Sequence, residues 1–198
     1  MDTAGLLRLI YDCGAASAAP IDASGLVLRR EFRDLCEKNA CGSYGRCWVC
    51  PPHIGPIDEC MAHVRACGGG VLYQSVAPLE DSFDFEGMMA AAAAHAQLSQ
   101  RIENALNGRG RFLHLTAGGC HLCRRCTAPD GEPCRRPGRA LSSLEGFGID
   151  VYSAAKDCGL SYINGANTVT YFGLVLTEGS EHGPAYDTRR RDAADTDL

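Results

Sequence analysis

Arg111-Phe112-Leu113-His114-Leu115-Thr116-Ala117-Gly118-Gly119-Cys120-His121-Leu122-Cys123-Arg124-Arg125-Cys126 holds a strand and a metal motif in one run. Its first six residues predict a strand that delivers the chain into a loop. In that loop Cys120, Cys123 and Cys126 fall in steps of three. Cys134 follows in Pro133-Cys134-Arg135-Arg136-Pro137. A structural zinc site usually takes two such cysteines from one loop and two from another. Three in succession with a remote fourth is the arithmetic of a 4Fe–4S cube, one thiolate for each iron. Zinc is the alternative. Gly118 and Gly119 allow turns that aim backbone N–H groups at the cluster sulfurs, which makes Gly119 a cofactor-binding residue. Arg124, Arg125, Arg135 and Arg136 would offset the negative charge of a cluster, with Arg135 the cofactor-binding one.

Upstream, Val71 to Val76 predicts a strand and Glu86 to Leu106 the longest helix, with Met88, Ala91, His95, Leu98 and Ile102 at helical spacing. His95 on that apolar stripe reads as a core histidine. Leu6 to Ile10 predicts a short helix, Ala15 to Ser24 a linker, Leu26 to Leu28 a strand, and Glu31 to Cys36 a helical turn with Phe32 and Leu35 inward. Pro56 opens a helix with Asp58 and Glu59 at its positive end; it runs to Cys67, and Gly68-Gly69-Gly70 stops it. Downstream, Ser142 to Glu145 forms a capping box for a helix, Asp150 caps another through Cys158, and Thr168 to Thr177 is a strong strand. The pattern predicts an α+β domain over residues 1–177, with helices on one face of a small mixed or antiparallel sheet. Residues 178–198 read as a polar tail.

The first cysteine loop spans residues 36–60, ahead of the second at 118–137. It carries Cys36, Cys41, Cys47 and Cys50, the last followed by Pro51-Pro52, and Cys60 lies ten residues on. Five thiols are available where four suffice. Cys36, Cys41 and Cys50 are the core of the set, with Cys60 ahead of Cys47 for the fourth place. The irregular spacing makes zinc more credible here than in the other loop. Trp48 reads as a lid over a cluster or as a core residue. His53 is kept as a neighbour of the thiolates, and His121 is read as a surface residue. Cys13, Cys67 and Cys158 have no partner at ligand spacing and read as buried structural cysteines.

The 198 residues suffice for one domain, and 45% hydrophobic with 22% charged residues is ordinary for a globular chain. The net charge of -5 and the lack of a basic stripe with interleaved aromatics argue against nucleic acid. No apolar run is long enough to span a membrane, and no signal peptide is evident. Twelve cysteines in such a chain point to metal in a reducing cytoplasm. The glycine-rich phosphate loop, the dinucleotide fingerprint, the His-Glu-x-x-His zinc motif and the cysteine triplet of radical S-adenosylmethionine enzymes are all missing.

Three motifs in order carry a resemblance. They are Cys36…Cys41-x2-Tyr44-Gly45-x2-Trp48-x-Cys50-Pro51-Pro52, then Gly119-Cys120-x2-Cys123-x2-Cys126…Cys134-Arg135-x-Pro137, then Ser143-x-Glu145-x2-Gly148-Ile149-Asp150-Val151. Over Leu26 to Leu176 the chain resembles a prokaryotic family of predicted metal-binding proteins, domain of unknown function 2284. The resemblance implies metal binding, of an iron–sulfur kind, in anaerobic redox metabolism. It favours Cys60 over Cys47, a position where relatives carry serine. The expectation is a cytoplasmic protein with one or two 4Fe–4S clusters that exchanges electrons with a redox partner protein. A zinc-stabilised binding module and a cluster-dependent enzyme are the alternatives.

Overall fold

A computed structural model describes residues 1–178. The elements run α1 (Thr3–Asp12), β1 (Ser17–Asp22), α2 (Glu31–Glu37), α3 (Ile57–Ala66), β2 (Cys67–Pro78), α4 (Phe85–Leu106), β3 (Phe112–Thr116), β4 (Ser142–Ser143), α5 (Val151–Asp157) and β5 (Thr168–Glu178). The strands form one sheet in the order β1-β2-β5-β3-β4. Three pairings are antiparallel, and the short β3–β4 pairing is parallel. The chain is therefore α+β with a mixed sheet.

The sheet is buried on both faces. Side chains alternate along a strand, so Val71, Tyr73 and Val175 join α1 and α4 in one core, with Leu6, Ile10, Leu98 and Ile102. Leu72, Leu174, Leu176, Leu113 and Leu115 point the other way, onto Val64 of α3, Ala154 and Ala155 of α5, and Phe147. Helices on one face only, the expectation from sequence, is thus corrected. The central strands carry apolar residues at successive positions because neither face meets water.

Five local readings change. Ala15 to Ser24 is not a linker: it contains β1, which pairs with residues 69–74 of β2 and carries Pro20. An edge strand accepts proline, whose missing N–H costs no ladder bond there. The glycines 68–70 do not stop α3 but lie within β2. A Cβ on Gly70 would strike the Val175 carbonyl, so only glycine allows this approach of β2 to β5. Leu26 to Leu28 makes a single bridge, Leu28 to Ile149, in place of a strand. Leu35 is exposed and Arg33 turns inward on α2. The box at Ser142 to Glu145 is split: Ser142 and Ser143 form β4, and only a 3-10 turn over Glu145–Phe147 follows. Ser143 Oγ still accepts the Gly146 N–H at 3.0 Å. Asp150 caps α5 as predicted, accepting the Ser153 N–H at 3.0 Å.

Glu178 ends β5, paired with His63 and Arg111. The rest of the predicted tail, 179–198, lies outside the described residues.

Between the sheet and α4 lies a chain of polar groups. Glu103 Oε2 meets His114 Nδ1 at 2.8 Å, and His114 Nε2 meets the Tyr73 hydroxyl at 2.8 Å. Tyr73 meets Ser99 Oγ at 2.8 Å, which meets Thr116 Oγ1 at 2.7 Å. His95 is buried as expected of a core histidine, held by Ser75 Oγ and the Phe172 carbonyl. Burial pushes its imidazole down to about 4, so it stays neutral near pH 7.

Candidate metal centre

β3 and β4 position the second cysteine loop. Leu115 and Thr116 pair with Ser142 and Ser143, so the chain leaves β3 at Thr116 and returns to the same sheet edge at Ser142. The loop between must fold back on itself. Gly118 provides the reversal with φ 72, a left-handed conformation that side chains disfavour.

The first cysteine loop packs beneath it. Cys47, Val49, Ile54 and Cys60 are buried in the core cluster that contains Leu115 and Phe147. Trp48 joins the two loops. Its indole N–H reaches Thr127 Oγ1 at 3.2 Å and the Glu132 carbonyl at 3.1 Å. Thr127 in turn donates to the Pro133 carbonyl at 2.9 Å, next to Cys134. The Trp48 ring also packs at a tilt against His53, 4.7 Å between centroids, and His53 Nε2 lies 3.3 Å from the Gly45 carbonyl oxygen. Trp48 therefore braces the loops against each other, and His53 supports it from within the first.

Cys47, Cys120, Cys123, Cys126 and Cys134 line a single cavity, with Arg135 and Arg136 at its wall. Cys47 is hydrogen-bonded to both Cys120 and Cys50, one thiol from each loop. Those two bonds, with the Val49 and Cys120 amides, hold its thiol well below the usual range. The same contact pushes Cys50 and Cys120 up, and burial adds to it. Gly119 lies against Cys50; a Cβ there would sit 3.6 Å from Cys50 Sγ. Cys50 also feels charge at Cys36 and Cys41, so these stand nearby. Cys36 is raised by burial, which outweighs the opposing pull of Arg33.

Cys60 lies deeper, fully buried on α3. Arg33 Nη2 donates to its sulfur at 3.3 Å, and the sulfur lies 3.4 Å from the Ile54 carbonyl oxygen. Arg33 also donates to the Gly146 carbonyl through Nε (3.1 Å) and Nη2 (2.6 Å), and to the Gly55 carbonyl at 2.9 Å. The sequence reading missed Arg33. Its place three residues before Cys36, one helical turn away, was the available sign.

Among the other cysteines, Cys67 is buried and pushed up to about 12 by desolvation, while Cys13 and Cys158 are half-buried. His121 is exposed. Among the described residues, no three His, Cys, Asp or Glu side chains are arranged to hold one metal ion. No helix among them is long and apolar enough to cross a membrane.

The donor set fits a soft metal. Thiols line the cavity, and backbone N–H groups point at their sulfurs: Leu122 at Cys120, Val49 at Cys47, and Arg136 at Cys134 at 3.4 Å. A family model described as "Predicted metal-binding protein (DUF2284)" matches residues 19–177, which takes in both cysteine loops. No curated protein and no solved structure matches the chain.

Proposed function

We propose, for a chain that belongs to the predicted metal-binding protein family DUF2284, that it carries one or two 4Fe–4S clusters and passes single electrons to a redox partner protein in the cytoplasm. The observation that carries this reading is the cavity walled by the four cysteines of residues 118–137 together with Cys47. When bound, a cluster supplies reversible one-electron chemistry. The chain's own residues do the rest. Cys120, Cys123, Cys126 and Cys134 hold one centre. Cys36, Cys41, Cys50 and Cys60 are the set for another, with Cys47 between the two. Amide N–H groups and the Arg33 guanidinium stabilise thiolate charge, while Arg135 and Arg136 carry positive charge to the cavity rim.

A second reading is a zinc-stabilised binding module. The contact of Cys47 with both Cys50 and Cys120 favours it, because a Zn–S bond of about 2.3 Å brings ligand sulfurs into mutual contact.

Anaerobic purification with metal analysis separates the two. A brown protein absorbing near about 400 nm, with roughly four or eight irons per chain and a paramagnetic signal after reduction, supports the clusters. Colourless protein with stoichiometric zinc sinks them.

A further inference from the structure

A cleft of 610 Å³ opens beside the cysteine cavity, between the last turns of α4, strand β3 and residues 137–142. Its volume is that of a small-molecule pocket. Ala140 lines both the cleft and the cysteine cavity, so the two adjoin at that residue. β4 pairs with β3 only at Leu115 and Thr116, which leaves the edge of β3 from Phe112 to His114 along the cleft wall.

Two carboxylates and two guanidinium groups lie among the described residues of the lining, and they are not paired evenly. Glu103 is engaged by His114 at 2.8 Å. Glu178 is engaged by His63 at 2.8 Å and by Arg111 at 3.2 Å. Both carboxylates of the lining thus have cationic or imidazole partners. Arg139 Nη2 meets only amide oxygens, Asn104 Oδ1 at 3.2 Å and Gln100 Oε1 at 3.5 Å. Among the described residues it makes no ion pair. Arg139 is therefore the guanidinium of the described lining that has no carboxylate partner.

We propose that this cleft binds a small monocarboxylate against the wall of the metal centre. Arg139 takes the carboxylate in its planar fork, and Asn104 and Asn107 hydrogen-bond the remaining polar groups. A phosphate dianion suits the cleft less well. The lining includes the C-terminal end of α4, where the helix dipole is negative, and it offers one arginine, not several. His114 is a positioning residue of the wall. Both its ring nitrogens are occupied, by Glu103 and Tyr73, so neither is presented to a ligand. This inference goes beyond the electron-transfer reading and does not depend on which metal the cysteines hold.

The test uses protein purified anaerobically with its metal, titrated by calorimetry with lactate, its neutral amide lactamide, and inorganic phosphate. Lactate is expected to bind saturably and lactamide not at all. Arg139→Gln should weaken lactate at least about tenfold, the loss of one charge-assisted contact, with metal content unchanged, and Arg139→Lys should restore part of it. Failure of lactate to saturate, equal binding of lactamide, equal binding by Arg139→Gln, or preference for phosphate overturns the proposal. Metal analysis of the same samples keeps the two readings apart. An iron protein that ignores lactate sinks the cleft alone. A zinc protein that binds it through Arg139 supports the cleft and sinks the clusters.

Discussion

Arg33 places its guanidinium 3.3 Å from the Cys60 sulfur, inside the core and in contact with no carboxylate among its hydrogen-bond partners. Its other bonds go to the carbonyls of Gly55 and Gly146, so one side chain ties α2 to both the first cysteine loop and the turn before α5. Arg33→Met fills similar volume but strands two carbonyls and the Cys60 sulfur. It should cost about 2–4 kcal/mol in urea unfolding of the metal-free chain. Arg33→Lys, with one donor head in place of a fork, should recover less than half of that.

Trp48 donates from the first cysteine loop into the second, to Thr127 and Glu132. Trp48→Phe keeps the ring against His53 and removes only the N–H. Stability should fall by about 1 kcal/mol. Labelling of the metal-free protein with a thiol reagent should accelerate at Cys126 and Cys134, which flank Thr127 and Pro133, while Cys67 stays slow. Equal labelling of the two proteins would show that the indole N–H does not hold the loops together.

Gly173 lies directly across the sheet from Tyr73, and a Cβ there would overlap the Tyr73 ring. That ring cannot swing aside, because its hydroxyl is fixed by Ser99 and His114 and it is fully buried. Gly173→Ala should therefore destabilise by about 1–3 kcal/mol through overpacking, measured by thermal or urea unfolding. The double change with Tyr73→Leu should recover part of the loss, since it removes the obstacle.

The hydrogen bond from His63, with help from Arg111, holds the Glu178 carboxyl below the ordinary carboxylate range. The folded state thus favours the ionised form more than the unfolded chain does. The resulting stability is present above the unfolded value of about 4.3 and is lost as pH falls through the lower folded value. Glu178→Gln should flatten the acid limb of the stability curve below about pH 5 and lower the plateau near neutrality. A mutant curve parallel to wild type at every pH would remove Glu178 from the acid response.

Much of this architecture is written in periodicity. The Glu86 to Leu106 stripe, the Thr168 to Thr177 run and the Asp150 cap were legible because each is local: spacing, β-rich composition and a capping side chain act within a few residues. β1 was not legible, because Ala18, Ala19 and Pro20 have no strand propensity of their own. Only the neighbouring β2 recruits them. The glycines 68–70 misled for a related reason. A glycine that ends a helix and one that lets two strands approach look alike until the second strand is in place.

The candidate centre divides in the same way. The C-x2-C steps named the thiols, because ligand spacing on one loop is a local property. Cys47 meeting Cys120, Trp48 reaching Glu132 and Arg33 reaching Cys60 are encounters between distant segments, and no spacing rule encodes them. The placing of Arg139 beside Asn104 and Gln100 in the cleft is likewise an encounter of α4 with the return to β4.

The contact between Cys47 and Cys120 also has a topological side. Roughly 70 residues separate these two positions, and α3, β2, α4 and β3 all lie between them. A metal gripped from both loops ties that stretch into a closed ring, as a cross-link would. By the loop-closure relation for disulfides, a ring of such size removes of the order of 4 kcal/mol of freedom from the unfolded chain. If one metal takes ligands from both loops, chain stripped of it should be cut faster by proteases than the loaded protein.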